Sequence, residues 1–281
     1  LEPTMKALNF GISPCPNDTF IFGAWVQDLI SVAPLEAGFF FADVDMLNRA
    51  VEARQPDICK VSVNMLPRIS TEYAALRCGG AVGRGVGPVV VSRERLEPKD
   101  LDVVSVAVPG IRTTASLLLG LTGLHRGDLV EMEYNDIVDG VKWGEAEAGV
   151  LIHESRFTFE QEGLYKVMDL GEWWEQDTGL PLPLGAIVVR RGLGPDVGLL
   201  IEEGIRRSLR HARMHPESVR ELIDEYAYEM EPDVIDRHIE TFVNDFSWEL
   251  GQEGENAVRE LVRKACRLRG LKMVEQVFIS D

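Results

Sequence analysis

Apolar positions along the chain fall into short runs that alternate with stretches of helical spacing. Ala7-Leu-Asn-Phe-Gly-Ile-Ser13 reads as a strand, residues 14–19 as a loop of turn and capping residues, and residues 20–29 as an apolar helix. Asp43 opens an amphipathic helix predicted over 43–54, with Val44, Leu47, Ala50 and Val51 at helical spacing. After Pro56, Asp57-Ile-Cys-Lys-Val-Ser62 reads as a buried strand, with a further helix near 63–70. Strands that alternate with helices predict a parallel sheet.

Cys78-Gly-Gly-Ala-Val-Gly-Arg-Gly-Val-Gly-Pro88 then interrupts the pattern with five glycines. It lacks the Gly-Lys-Ser/Thr ending and the following helix of a phosphate loop, so it reads as a flexible connector between two units. A second alternating block follows, with strands at 89–92, 103–108, 129–134 and 148–152 and helices at 113–122 and 136–144. It closes on a return strand, Gly185-Ala-Ile-Val-Val-Arg190. Four capped helices are predicted after it, over 195–215, 216–228, 232–244 and 253–269. Two crossings that enclose a middle block make residues 91–186 one lobe and residues 1–90 with 187–281 the other. That is the plan of an α/β, two-lobed type II periplasmic-binding-protein-like fold, in which a ligand sits between the lobes at the C-terminal ends of the strands.

Composition narrows the partners. The 281 residues are 45% hydrophobic and 27% charged, as in a globular protein. A net charge of −17 disfavours nucleic acid and anionic membranes, while leaving room for a small anion held by local donors. No apolar run of about 18 residues exists, and no basic segment leads into an apolar core at the N-terminus, so a cytoplasmic location is expected. Cys15, Cys59, Cys78 and Cys266 are scattered, which argues against zinc and against a disulfide framework; they are expected to be reduced and partly buried. Oligomeric state is not legible.

Four places put polar groups at the ends of predicted strands. Ser13-Pro-Cys-Pro-Asn-Asp-Thr19 leads into a helix; its hydroxyls and amides can hold an anion, or Asn17 or Asp18 can simply cap the helix. Lys60 and Ser62 end a buried strand, where a lysine either snorkels, pairs with an acid, or meets a ligand. Thr113, Thr114 and the Ala115 amide open a helix and fit either a carboxylate or an ordinary cap. His153 follows an apolar strand; with an ordinary pKa of about 6.5 it suits proton transfer near neutrality. Phe157 stands where a His-Glu-x-x-His zinc motif needs its second histidine. His211 and His215 have metal-pair spacing but end a helix, where cationic side chains suit the dipole.

Taken together, five segments resemble the 1,4-dihydroxy-6-naphthoate synthases of the futalosine route to menaquinone. They are Ser13-Pro-Cys-Pro-Asn-Asp-Thr-Phe-Ile-Phe22, Arg77-Cys-Gly-Gly-Ala-Val-Gly-Arg-Gly-Val-Gly-Pro88, Ala107-Val-Pro-Gly110 with Thr113-Thr-Ala115, Ile152-His-Glu-Ser-Arg-Phe-Thr158, and Thr178-Gly-Leu-Pro-Leu-Pro-Leu-Gly-Ala186. The resemblance implies a carbon–carbon lyase that converts cyclic dehypoxanthinylfutalosine to 1,4-dihydroxy-6-naphthoate and dihydroxyacetone. It carries the family's proton acceptor onto His153, and its substrate-binding segments onto Lys60, Val61 and Ser62 and onto Thr114 with Ala115. Asn17 and Asp18 are expected to shape the opposite wall. No metal or organic cofactor is implied. Competing readings are chorismate dehydratase of the same pathway, a solute-binding protein, a regulator's effector domain, and Schiff-base chemistry on Lys60.

Overall fold

The computed structural model describes residues 7–227 and 231–281. Its strands are β1 (Leu8–Ile12), β2 (Ala37–Phe41), β3 (Ile58–Ser62), β4 (Tyr73–Ala75), β5 (Ala81–Gly83), β6 (Val89–Ser92), β7 (Val106–Val108), β8 (Leu129–Glu131), β9 (Ala148–Leu151), β10 (Tyr165–Asp169) and β11 (Leu182–Arg190). Among the described residues they form two sheets. One has the order β2-β1-β3-β11-β4 with β5 also on β11, and the other has the order β10-β6-β9-β7-β8. The first sheet draws its strands from 8–83 and 182–190, the second from 89–169. The crossings therefore lie at 84–88 and 170–181, slightly before the boundaries expected at 90/91 and 186/187.

Neither sheet is wholly parallel, contrary to expectation. β1 pairs parallel with β2 and β3, but the returning β11 runs antiparallel to β3, β4 and β5. In the second sheet β6 runs antiparallel to β9 and β10, while β7 is parallel to β8 and β9. The reason is topological: the strand next to each crossing enters its sheet from the other lobe instead of through a crossover helix.

Three further differences have local causes. The expected loop over 14–19 is helical from Pro16, because a proline at the first helical position loses no hydrogen bond and already has helical φ. The glycine-rich connector is buried except at Arg84 and Gly85 and contains β5, so it is a shaped crossing and not a slack one. Strands β2, β4, β5 and β10, and the helix Leu170–Thr178, are too short or too irregular in pattern to read from periodicity. The C-terminal helices are Pro195–Met214, Glu217–Tyr226, Pro232–Phe242 and Gly251–Arg269, with a short turn of helix at Asp245–Trp248. Tyr228, at the end of the helix expected over 216–228, lies outside the described residues.

One apolar core runs through both lobes, joining Val61, Val82 and Val188 of the first to Val90 and Leu118 of the second and to Trp174 of the second crossing. Polar bonds cross at the same level: Asn64 Nδ2 donates to the Thr113 and Arg112 carbonyls at 2.9 and 3.0 Å, and Thr114 Oγ1 to the Leu184 carbonyl at 2.7 Å. The lobes thus meet at one edge of the cleft in a packed seam.

Gly87 is the tightest point of the first crossing. Its φ of +150° favours glycine, and a β-carbon there would stand 2.6 Å from the Gly171 Cα. Gly87→Ala is therefore expected to destabilise the protein by about 2 kcal/mol or more. Urea unfolding checks this, and a loss below about 0.5 kcal/mol, the range of an ordinary surface change, would contradict it.

Candidate active site

The cleft floor is built around one carboxylate. Asp18 lies in the first turn of the helix Pro16–Val26 and is fully buried. Its Oδ2 accepts from Ser13 Oγ at 2.7 Å and from the Ser13 amide at 3.3 Å. Its Oδ1 accepts from Asn17 Nδ2 at 2.8 Å and from the Lys60 ammonium, which forms a buried ion pair with it. The anion that the Ser13–Thr19 segment holds is thus the protein's own. Lys60 can enter because Gly185 of β11 lies opposite: a β-carbon at Gly185 would stand 2.8 Å from the Lys60 Cε.

Above this floor lies a mostly apolar cavity between the two lobes. Asn17, Lys60, Ser62, Thr113, Thr114, Ala115 and His153, all expected at the site, line it. Two expected residues do not. Asp18 sits beneath the floor, and Val61 points the other way into the shared core. Thr113 is the N-cap of the helix Thr114–Thr122: its Oγ1 accepts from the Ser116 amide and donates to the Gly110 carbonyl. The free end of that helix's first turn, at Thr114 and Ala115, is what reaches the cavity.

His153 follows β9 with φ +54°, a left-handed conformation that costs a non-glycine residue about 1 kcal/mol and needs surrounding structure to hold it. The Cys15 thiol supplies part of that hold, 3.4 Å from Nδ1 and 3.7 Å from Nε2, and the Tyr134 ring packs edge-on at 4.8 Å. Burial pushes the His153 pKa down to about 4; Asp18 opposes the shift and Lys60 adds to it. This corrects the expectation of an ordinary imidazole: burial favours the neutral form of His153 near pH 7 and gives it a low proton affinity. Burial also raises the Cys15 pKa far above the usual thiol range, so the sulfur beside the ring is a neutral thiol. All four cysteines are free, as expected, and all are buried.

Two residues of the cavity were not expected from sequence. His238, on the helix Pro232–Phe242, is 1% exposed and stacks near His153, with ring centres 6.0 Å apart and planes inclined by 19°. Arg156, in the turn of helix after His153, bonds Asp169 through Nη2 at 3.4 Å, while its Nη1 is buried without a hydrogen-bond partner. Signals for both existed. His238 occupies the apolar stripe of its helix with Ile235 and Phe242, and Arg156 lies in the segment that also carries His153. No cluster of metal-ligating side chains occurs among the described residues, His211 and His215 included.

Two lobes facing each other across a mostly apolar cavity, with strand ends supplying the polar groups, define a type II periplasmic-binding-protein-like fold whose cleft is fitted for a small molecule. Residues 8–267 match the family described as "Menaquinone biosynthesis". The chain is 48% identical to 1,4-dihydroxy-6-naphtoate synthase of Thermus thermophilus, covering 95% of this chain and 96% of that one. It is 42% identical to the Streptomyces coelicolor protein of the same name, covering 92% and 93%. Among solved structures, an Archaeoglobus fulgidus protein superimposes with TM-score 0.87 at 30% identity, covering 94% of this chain and 98% of that one. The periplasmic aliphatic sulphonate binding protein of Escherichia coli superimposes at 0.68 and 13% identity, covering 98% and 92%, which is a likeness of fold alone. The chain belongs to this family of menaquinone-biosynthesis enzymes. No helix among the described residues is long and apolar enough to cross a membrane.

The Asp18–Lys60 pair yields a stability test. Asp18→Asn leaves a buried ammonium without its counter-charge and should cost about 3–5 kcal/mol in urea unfolding. Adding Lys60→Met should recover part of that loss. A single variant that loses less than about 1 kcal/mol would mean that the pair does not organise the floor.

Proposed function

We propose that the enzyme cleaves a carbon–carbon bond of cyclic dehypoxanthinylfutalosine to give 1,4-dihydroxy-6-naphthoate and dihydroxyacetone, with His153 as general base. The observation that carries the reading is the neutral imidazole of His153, held on strained backbone inside a dry cavity, in a chain about half identical to synthases of that product. The apolar walls suit a flat bicyclic acid, and few polar groups are needed. His153 takes the proton of a hydroxyl β to a carbonyl, the C–O bond becomes a carbonyl, and the adjacent carbon–carbon bond breaks. Its electron pair leaves as an enolate, which takes up a proton, and aromatisation of the bicyclic fragment drives the step forward. Ser62 and the helix start at Thr114 and Ala115 lie where they can donate to developing negative oxygen.

Low proton affinity in the ligand-free site does not oppose this role. Lys60, which opposes charge on the ring, is matched by the Asp18 carboxylate, and an anionic substrate in the same cavity adds further support for an imidazolium. Lys60 is ion-paired with a buried carboxylate, which favours a cationic role over a Schiff base. Arg156 is the fitting anchor for the substrate carboxylate, since its buried Nη1 lacks an acceptor.

Incubation of the purified protein with the cyclic futalosine derivative, and separately with chorismate, tests the assignment: naphthoate absorbance is expected only with the former. His153→Ala should retain substrate binding while turnover falls about a hundredfold or more; near-normal turnover would remove the base assignment. Because the free enzyme's His153 titrates at about 4, kcat/KM should stay level as pH falls from 7 to about 5 and decline below that. An acid limb centred near 6.5, the ordinary histidine value, would show that the imidazole is not desolvated.

Arg156→Met should raise KM about thirtyfold, equivalent to roughly 2 kcal/mol for a lost charged hydrogen bond, with a much smaller change in kcat. An unchanged KM would place the carboxylate elsewhere.

A further inference from the structure

His238 is the second buried imidazole of the cleft and has no part in the scheme above. Its Nε2 lies 3.0 Å from Asn17 Oδ1. The Asn17 amide nitrogen is committed to Asp18, which fixes the amide with its oxygen toward the histidine. A carbonyl oxygen only accepts, so Nε2 carries the proton and Nδ1 carries the lone pair. That Nδ1 is buried, has no hydrogen-bond partner, and stands 3.9 Å from Glu154 Oε2 across the cleft. A buried acceptor without a donor costs about 1–3 kcal/mol. An ordinary core histidine would not leave its basic atom unmatched beside the cavity that holds another imidazole.

We propose that His238 is a second proton-transfer residue of this site, working from the opposite lobe to His153 through Nδ1. The inference rests on the carbon–carbon cleavage reading, because that reaction moves protons at two separate places. One leaves the hydroxyl oxygen as the bond breaks, and one is delivered to the enolate released. His153 accepts the first; His238, neutral in the free enzyme, takes a proton from solvent onto Nδ1 beside the Glu154 carboxylate once the anionic substrate is bound, and delivers it to the enolate. His153 gives its proton back to solvent as the products leave, so one proton is taken up and one returned per turnover, both imidazoles end neutral, and no other reactant is consumed.

His238→Gln separates this role from a structural one, since a glutamine amide can still donate to Asn17 Oδ1 but has no basic atom. With wild-type turnover established on the cyclic futalosine derivative, His238→Gln should lower kcat about a hundredfold while the substrate Kd, titrated directly, changes less than threefold. Added imidazole should restore part of the activity of His238→Ala. Turnover of His238→Gln within threefold of wild type would overturn the proposal and leave the cleavage reading standing. A wild-type protein that does not turn the compound over would remove both. Should the glutamine variant unfold, nitrogen-15 spectra of histidine-labelled wild-type protein decide: a neutral His238 protonated on Nε2 is expected, and a proton on Nδ1 instead would overturn the assignment.

Discussion

The site depends on the charge of Asp18. A carboxylate buried at the start of a helix needs donors on every side, and it gathers them from three segments: Ser13 from the end of β1, Asn17 from its own helical turn, and Lys60 from β3. Each donor is then no longer free to bind ligand in full, but each is fixed in direction. Asn17 passes that order to His238, whose tautomer follows from which end of the amide Asp18 has taken. Lys60 brings a positive charge to the cavity floor without leaving it unpaired in a dry interior, where an isolated ion would be far more costly. A carboxylate outside the cavity therefore orders the polar groups that line it.

The opposite lobe works differently. Its polar groups arrive at strand and helix ends, where backbone atoms have no partner in their own element. His153 is placed by a left-handed residue after β9, and Thr114 with Ala115 by a helix that Thr113 caps. One wall of the cleft is thus a hydrogen-bonded network, and the other a set of chain termini. Asn64 ties the two together at their edge through the Arg112 and Thr113 carbonyls, and receives Arg269 from the C-terminal helix on its own oxygen. The same side chain therefore joins the lobes at their edge and positions the helix start at Thr114.

Much of this was legible in the sequence. Apolar runs marked β1, β3, β6 and β9, and polar residues at their ends pointed to Ser13, Ser62 and His153 without any contact being known. The two-lobed plan followed from two interruptions in one alternating pattern. Strand direction was not legible, because β11 reads the same whether it joins β3 parallel or antiparallel; only the position of the crossings decides. Nor was the partner of Lys60, since Asp18 lies 42 residues away and looked like a cap. His238 escaped for a related reason. On its helix it fills an apolar position, and its meaning appears only when a residue 221 positions earlier is brought against it.

Arg156 and His238 share a trait that separates them from ordinary buried polar residues. Each makes one good contact and leaves one polar atom buried and unmatched, Nη1 in one case and Nδ1 in the other. Folding alone would favour residues that leave no such atom, for each costs about 1–3 kcal/mol. Add the strained backbone of His153 and the desolvation that drives its pKa down, and the unfavourable terms cluster around one cavity while the cores on either side are apolar and closely packed. A donor and an acceptor left unmatched in the same apolar space would be relieved together by the proposed substrate, which carries both a carboxylate and hydroxyl groups. On that reading the local instability is complementary to the substrate class, and binding would recover there what folding had to give up.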